Sequence, residues 1–179
     1  MAVCSSDGAA RLIASDKGYW NVVSISGPRE RKAELPLAKT IHYSCFDDVE
    51  VTVSEDYRPP RGADIEEIFA FIGSLHAGPP PPPLLIHCQQ GISRSAAVGL
   101  AWIYGHLPPS PARVRDAIDF ILELRPQAKP NRLVLALGLA QFMPTEHALK
   151  LAAHMVSEPR LARNRFQLPP VEGASNSEL

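Results

Sequence analysis

The run Leu84-Leu85-Ile86-His87-Cys88 passes through Gln89-Gln90-Gly91-Ile92-Ser93 into Arg94-Ser95 and an apolar-periodic stretch ending at Tyr104. A short apolar run bounded by polar residues predicts a buried strand, and Ser95–Tyr104 (SAAVGLAWIY) combines helical spacing with good helix formers. A strand that enters a helix through a tight polar turn leaves several N–H groups without intrahelical partners. Those groups can converge on an anion.

The side chains at this joint are chemically specific. Cys88 opens the turn, where amide dipoles and the Arg94 guanidinium favour thiolate over thiol, so it is a candidate nucleophile. Arg94 closes the turn, and its planar fork can hold two oxygens of a phosphate while the amides of Gln89, Gln90, Gly91, Ile92, Ser93 and Arg94 hold the rest. Gly91 permits a positive φ or a close backbone approach. Ser95 is either a donor to the Cys88 sulfur, easing breakdown of a phosphocysteine, or a cap of the following helix. His87 is read as tuning the thiolate through hydrogen bonds to the loop backbone, or else as a core histidine.

His87, Cys88, Gly91, Arg94 and Ser95 together resemble the HCxxGxxR(S/T) signature of the cysteine-dependent protein tyrosine phosphatase superfamily, nearest to compact dual-specificity-like bacterial members. The resemblance implies a dual-specificity-like phosphatase fold: one α/β domain with a central four- or five-stranded sheet flanked by helices. It also implies phosphomonoester hydrolysis without a metal or organic cofactor. A catalytic domain is expected over residues 1–157, followed by a loosely packed or mobile tail over 158–179.

Phosphate-ester cleavage needs a proton for the leaving oxygen. The superfamily carries the acid on a loop ahead of the cysteine, which maps the role onto Phe46-Asp47-Asp48-Val49. Asp48 is preferred to Asp47 partly because neighbouring residues of an extended chain point to opposite sides; alternation does not say which side faces the cleft, so Asp47 stays open. Asp48 stands farther ahead of Cys88 than is usual for compact members; Glu55 and Asp56, in the loop Ser54–Gly62, lie nearer the usual distance, and of the two Asp56 is the alternative acid, or else both are solvated loop residues. The segment Leu124–Asn131 resembles a late-helix loop of the family. Asn131 is expected to cap the next helix or to brace the phosphate loop, and Lys129 and Arg132 to touch substrate or face solvent.

Elsewhere the chain reads as scaffold. Met1 to Ser6 are expected to fray, and Leu12–Ala14 and Trp20–Ile25 to form successive strands. The charged run Arg29–Glu34 is a solvated turn or a basic loop beside the substrate cleft. Thr40–Phe46 is a strand. A helix starting at Asp64 should bury Ile65, Ile68, Phe69, Ile72 and Leu75, and prolines 79–83 form a stiff connector. Ser110 and Thr145 are expected as helix caps. Cys45 is a candidate disulfide partner for Cys88, or a packed free thiol.

Composition removes other classes. Eighteen Lys and Arg against 19 Asp and Glu give a net charge of −1, which offers no electrostatic footprint for nucleic acid or an anionic membrane. Three cysteines without metal spacing fit a reducing, cytoplasmic setting. Met1–Gly8 lacks the pattern of an export signal, and no run approaches membrane-spanning length. The expected partner is a phosphorylated protein or a small phosphomonoester; oligomeric state is left open. Two other readings stand beside this one: a phosphoprotein-binding pseudophosphatase, and an inositol phosphate or phosphoinositide phosphatase. The second is disfavoured by the uncharged residues between Cys88 and Arg94.

Overall fold

The structure, a computed structural model, describes residues 1–51, 54–75 and 82–166. Four strands, β1 (Ala2–Ser5), β2 (Asn21–Ser26), β3 (Thr40–Cys45) and β4 (Leu84–Cys88), form one parallel sheet in the order β1-β4-β2-β3. The helices are α1 (Ser6–Ser15), α2 (Gly62–Ser74), α3 (Arg94–His106), α4 (Arg113–Leu124), α5 (Arg132–Leu139), α6 (Thr145–Ser157) and α7 (Pro159–Phe166). A parallel sheet needs cover on both faces. Val22 and Leu85, in register, pack with Ala9 and Ile13 of α1 on one face. Val23 and Ile86, the next pair, pack on the other with Ile68, Leu100, Ile118 and Leu135 from the larger helical layer. The result is a single α/β domain. Among the described residues no helix is long and apolar enough to cross a membrane.

Several local expectations change. Residues 2–5, expected to fray, pair with the otherwise open edge of β4, with Val3 opposite Ile86 and Ser5 opposite Cys88. Leu12–Ala14 belong to a helix, not a strand. Ser5 caps α1 by accepting from the Gly8 amide at 3.2 Å, and Ala9 and Ile13, four residues apart, are buried together. The helix expected from Asp64 starts at Gly62. Asp64 is its third residue, and its carboxylate reaches back to the Arg61 amide at 2.8 Å. Ser110 and Thr145 do not cap. Ala112 and Pro144 occupy those positions without a side-chain bond.

The segment assigned to a loose tail begins with α7. Leu161 is fully buried, the Asn164 amide donates to the Ala128 carbonyl at 2.8 Å, and Arg160 pairs with Asp119 and Glu158. A strongly polar sequence concealed this docking, which continues to Asn164. His76, prolines 79–81 and residues 167–179 lie outside the described residues.

Candidate active site

β4 ends at Cys88 and α3 begins at Arg94, so the five residues between them must turn within a short span. Gly91 makes the turn with φ +71°, and a Cβ there would sit 2.0 Å from the Cys4 carbonyl carbon on β1. Only glycine fits that approach. The loop carbonyls are tied outward: Gln89 accepts from the Ser6 amide at 3.3 Å, Gln90 from Arg125 at 3.1 Å and Ile92 from the Lys129 amide at 2.7 Å. Each trans peptide unit directs its N–H opposite its C=O, so the following amides turn toward the concave side. The Gly91 amide accordingly donates to Cys88 Sγ at 3.3 Å.

Cys88 is buried, and its sulfur lies 3.3 Å from Ser95 Oγ. Ser95, the second residue of α3, is itself buried, so the hydroxyl faces sulfur instead of capping the helix. Arg94 is buried as well. Its Nη1 donates to the Phe46 carbonyl at 3.0 Å and its Nη2 to Glu30 Oε1 at 2.7 Å, while Nε has no partner among the described residues. Burial opposes the guanidinium charge. The Glu30 hydrogen bond, then the Cys88, Glu30 and Asp48 charges, outweigh it and hold the group above its ordinary range. Burial alone would push the Glu30 carboxyl up, but Arg94 and the Gly27 amide at 2.6 Å bring it below the usual carboxylate range.

These groups enclose a cavity of about 130 Å³ lined by Glu30, Asp48, Cys88, Gln89, Gln90, Ser93 and Arg94. A larger apolar depression, about 270 Å³, lies at the opposite end of β4 beside Leu84 and Trp102, and brings no nucleophile.

The two neighbouring aspartates face different tasks. Asp48 Oδ1 accepts from Ser93 Oγ at 2.7 Å and from Asn131 Nδ2 at 2.8 Å, which sets the carboxyl at the cavity rim. Asn131 serves both expected purposes. Its Oδ1 caps α5 on the Val134 amide at 2.9 Å, and its Nδ2 reaches the acidic loop. Asp47 instead turns away and exchanges two bonds with Arg58, donating through its own amide at 2.7 Å and accepting at Oδ2 from the Arg58 amide at 2.8 Å. Asp56 is exposed and lines no part of the cavity.

His87 alternates to the opposite face of β4 from Cys88. Among the described residues neither ring nitrogen reaches a hydrogen-bond partner at full geometry, so the expected bonds to the loop backbone are not made; only a weaker interaction with the Cys88 backbone remains. Burial pushes the imidazole down to about 4 against that weaker backbone effect. Cys45 is exposed on edge strand β3, with β2 between it and β4. Two strand spacings, about 9.6 Å, exceed the Cα separation of about 7 Å that a disulfide can bridge.

Glu30 and Glu50 escaped detection. Glu30 hid in a charged run in which Arg29 lies over Tyr57, Lys32 over Tyr43, and Arg31 pairs with Glu34. The Gly27–Glu30 spacing, a tight turn closed by the Glu30 amide on the Gly27 carbonyl at 3.0 Å, was the available signal. Glu50 accepts from the Arg132 amide at 2.9 Å and fastens the Asp48 loop to the start of α5. Arg132 is thereby paired, and Lys129 borders a depression next to the cavity.

No protein-family model matches the chain. A stretch of 91 residues is 32% identical to human dual specificity protein phosphatase 8, covering 51% of this chain and 13% of that protein's length. The structure is similar to human DUSP28, with a TM-score of 0.58 and 22% identity over 83% of this chain and 92% of that one. It is also similar to the human tyrosine phosphatase-like serine/threonine/tyrosine-interacting protein, with a TM-score of 0.57 and 21% identity over 78% and 88%. The chain therefore has the dual-specificity phosphatase fold.

Proposed function

We propose that the protein hydrolyses phosphomonoesters, phosphotyrosine and also phosphoserine or phosphothreonine in proteins, through a phosphocysteine on Cys88. One observation carries this reading: a buried sulfur at the base of an amide-lined loop, faced by Ser95 Oγ and by an arginine whose Nε is left unpartnered.

In this mechanism Cys88 Sγ attacks phosphorus in line. The loop amides and the Nε edge of Arg94 hold the three non-bridging oxygens, while Phe46 and Glu30 fix the rest of the guanidinium. Asp48 gives its proton to the leaving ester oxygen. Both donors to Asp48 bind Oδ1, which makes Oδ2 the oxygen available to carry that proton. Water then attacks the phosphocysteine, Asp48 takes its proton, and sulfur leaves as a thiolate stabilised by the Ser95 hydroxyl. The products are the free alcohol and inorganic phosphate. A nucleophilic thiol of this kind suits a reducing, cytoplasmic setting.

The cavity's own carboxylates, Glu30 and Asp48, disfavour inositol polyphosphates. A phosphoprotein-binding module without turnover is the second reading, favoured by the likeness to a relative described as phosphatase-like and interacting. Rapid quenching during turnover of an aryl phosphate tests the choice. A phosphoryl group on the Cys88 peptide is expected for the enzyme, and its absence together with absent turnover favours the binding module.

A further inference from the structure

The cavity at Cys88 continues beyond the phosphate cradle. A second depression, about 240 Å³, shares Asp48, Gln90 and Ser93 with it and runs past Ile92 and Lys129. A third, about 320 Å³, meets the second at Glu50 and opens between α5 and α6 over Leu133, Ala136, Leu149 and Ala153. Three adjoining concavities thus lead from the nucleophile to a helical face.

The path changes character along its length. Near Cys88 it is polar, and its carboxylates are committed: Asp48 to Ser93 and Asn131, Glu50 to the amide and guanidinium of Arg132. At the far end the Glu50–Arg132 pair gives way to the aliphatic Leu133, Ala136, Leu149 and Ala153, with Leu149 53% exposed at the rim; Val51, 61% exposed, directly follows Glu50 in the chain. Single exposed aliphatics are ordinary, but an exposed leucine beside an aliphatic concavity joined to a reactive site is a more specific feature. Charge narrows the occupant. Glu30, Asp48 and Glu50 would all repel a second or third phosphate, and Lys129 is the one lining cation without an ion pair among the described residues.

We propose that this path is a peptide groove, in which the polypeptide flanking the phosphorylated residue of a protein substrate seats an apolar side chain between α5 and α6. The proposal rests on the phosphatase reading for the Cys88 end. The groove would make recognition of a protein substrate depend on residues beyond the phosphorylated one, through contacts that a small aryl phosphate cannot make.

The test uses full-length Cys88→Ser protein, which keeps the cradle without the nucleophile, and two phosphotyrosyl peptides that differ only in leucine or serine flanks. The leucine peptide is expected to bind about tenfold tighter, the usual scale for one apolar group in a fitted pocket. Adding Ala153→Trp, which fills the concavity, should erase that ratio; Leu149→Asp, at an exposed position, should do the same. A merely disrupted fold would weaken both peptides alike. Equal binding of the two peptides, a ratio that survives both substitutions, or tighter binding of inositol hexakisphosphate than of either peptide would overturn the groove. Absent turnover in the unsubstituted protein would overturn the phosphatase reading, while the binding ratio would still decide the groove.

Discussion

Glu30 Oε1 lies 2.7 Å from Arg94 Nη2, joining a side chain 31% exposed to one only 3% exposed. The pair links the β2–β3 connection to the first turn of α3. Because the arginine is the deeper partner, removing the glutamate strands a buried cation, which costs more than the pair itself contributes.

Glu30→Ala is therefore expected to destabilise the protein by about 1–3 kcal/mol, with Glu30→Gln closer to the original because an acceptor remains. The pH dependence has a definite sign. The folded carboxyl lies below its ordinary range, so its contribution is present above that range and is lost as pH falls through the folded value. Urea unfolding at neutral and acidic pH should show a flatter dependence in Glu30→Gln.

His87 gives a second acid-sensitive component. Its folded value, about 4, lies below the ordinary 6.5, so the unfolded chain binds the extra proton and stability falls as pH drops from 6.5 toward 4. Among the described residues the ring has only its weak interaction with the Cys88 backbone, so His87→Leu should change stability at pH 7 by no more than about 1 kcal/mol. Unfolding midpoints measured across that window should lose the His87 component in the variant.

Gly91→Ala should be severe. The new methyl would press on the Cys4 backbone at a positive φ, and relieving the contact requires the loop to move. A displacement near 1 Å at a reacting centre costs about a hundredfold in rate, so kcat should fall by about that factor or more. Thermal unfolding measured alongside would separate this from global collapse.

Asn131 tests the carboxyl it holds. Asn131→Ala removes the α5 cap, costing about 1 kcal/mol, and also leaves Asp48 Oδ1 with Ser93 as its one remaining donor among the described residues. Asn131→Asp keeps a capping oxygen but sets a second carboxylate against Asp48, which should move the basic limb of the pH–rate profile to higher pH. Rate profiles of the two variants provide the check.

The strand–loop–helix at Cys88 was legible because its determinants are contiguous: an apolar strand, Cys88, Gly91 and Arg94 lie within one short stretch. Asp48 could be separated from Asp47 by strand alternation, although alternation does not say which side faces the cavity. The Arg58 bonds that turn Asp47 away close the β3–α2 connection back on itself, a fold of the loop that alternation does not reveal. β1 was missed because its partner β4 is far along the chain, and nothing local marks residues 2–5 as an edge strand. The run Leu12–Ala14 is too short to separate a period of two from one of 3.6. Glu30 was missed because a carboxylate in a charged turn looks solvated until a buried arginine approaches it.

In the proposed mechanism Cys88 and Asp48 divide the chemistry between nucleophile and proton donor. The most direct measurement is the pH dependence of aryl phosphate turnover for the unsubstituted protein beside Cys88→Ser, Asp48→Asn and Asp47→Asn. Turnover abolished in Cys88→Ser, with the basic limb lost in Asp48→Asn and retained in Asp47→Asn, is the expected result. A folded, phosphate-binding protein without turnover, or a basic limb lost only in Asp47→Asn, would contradict it.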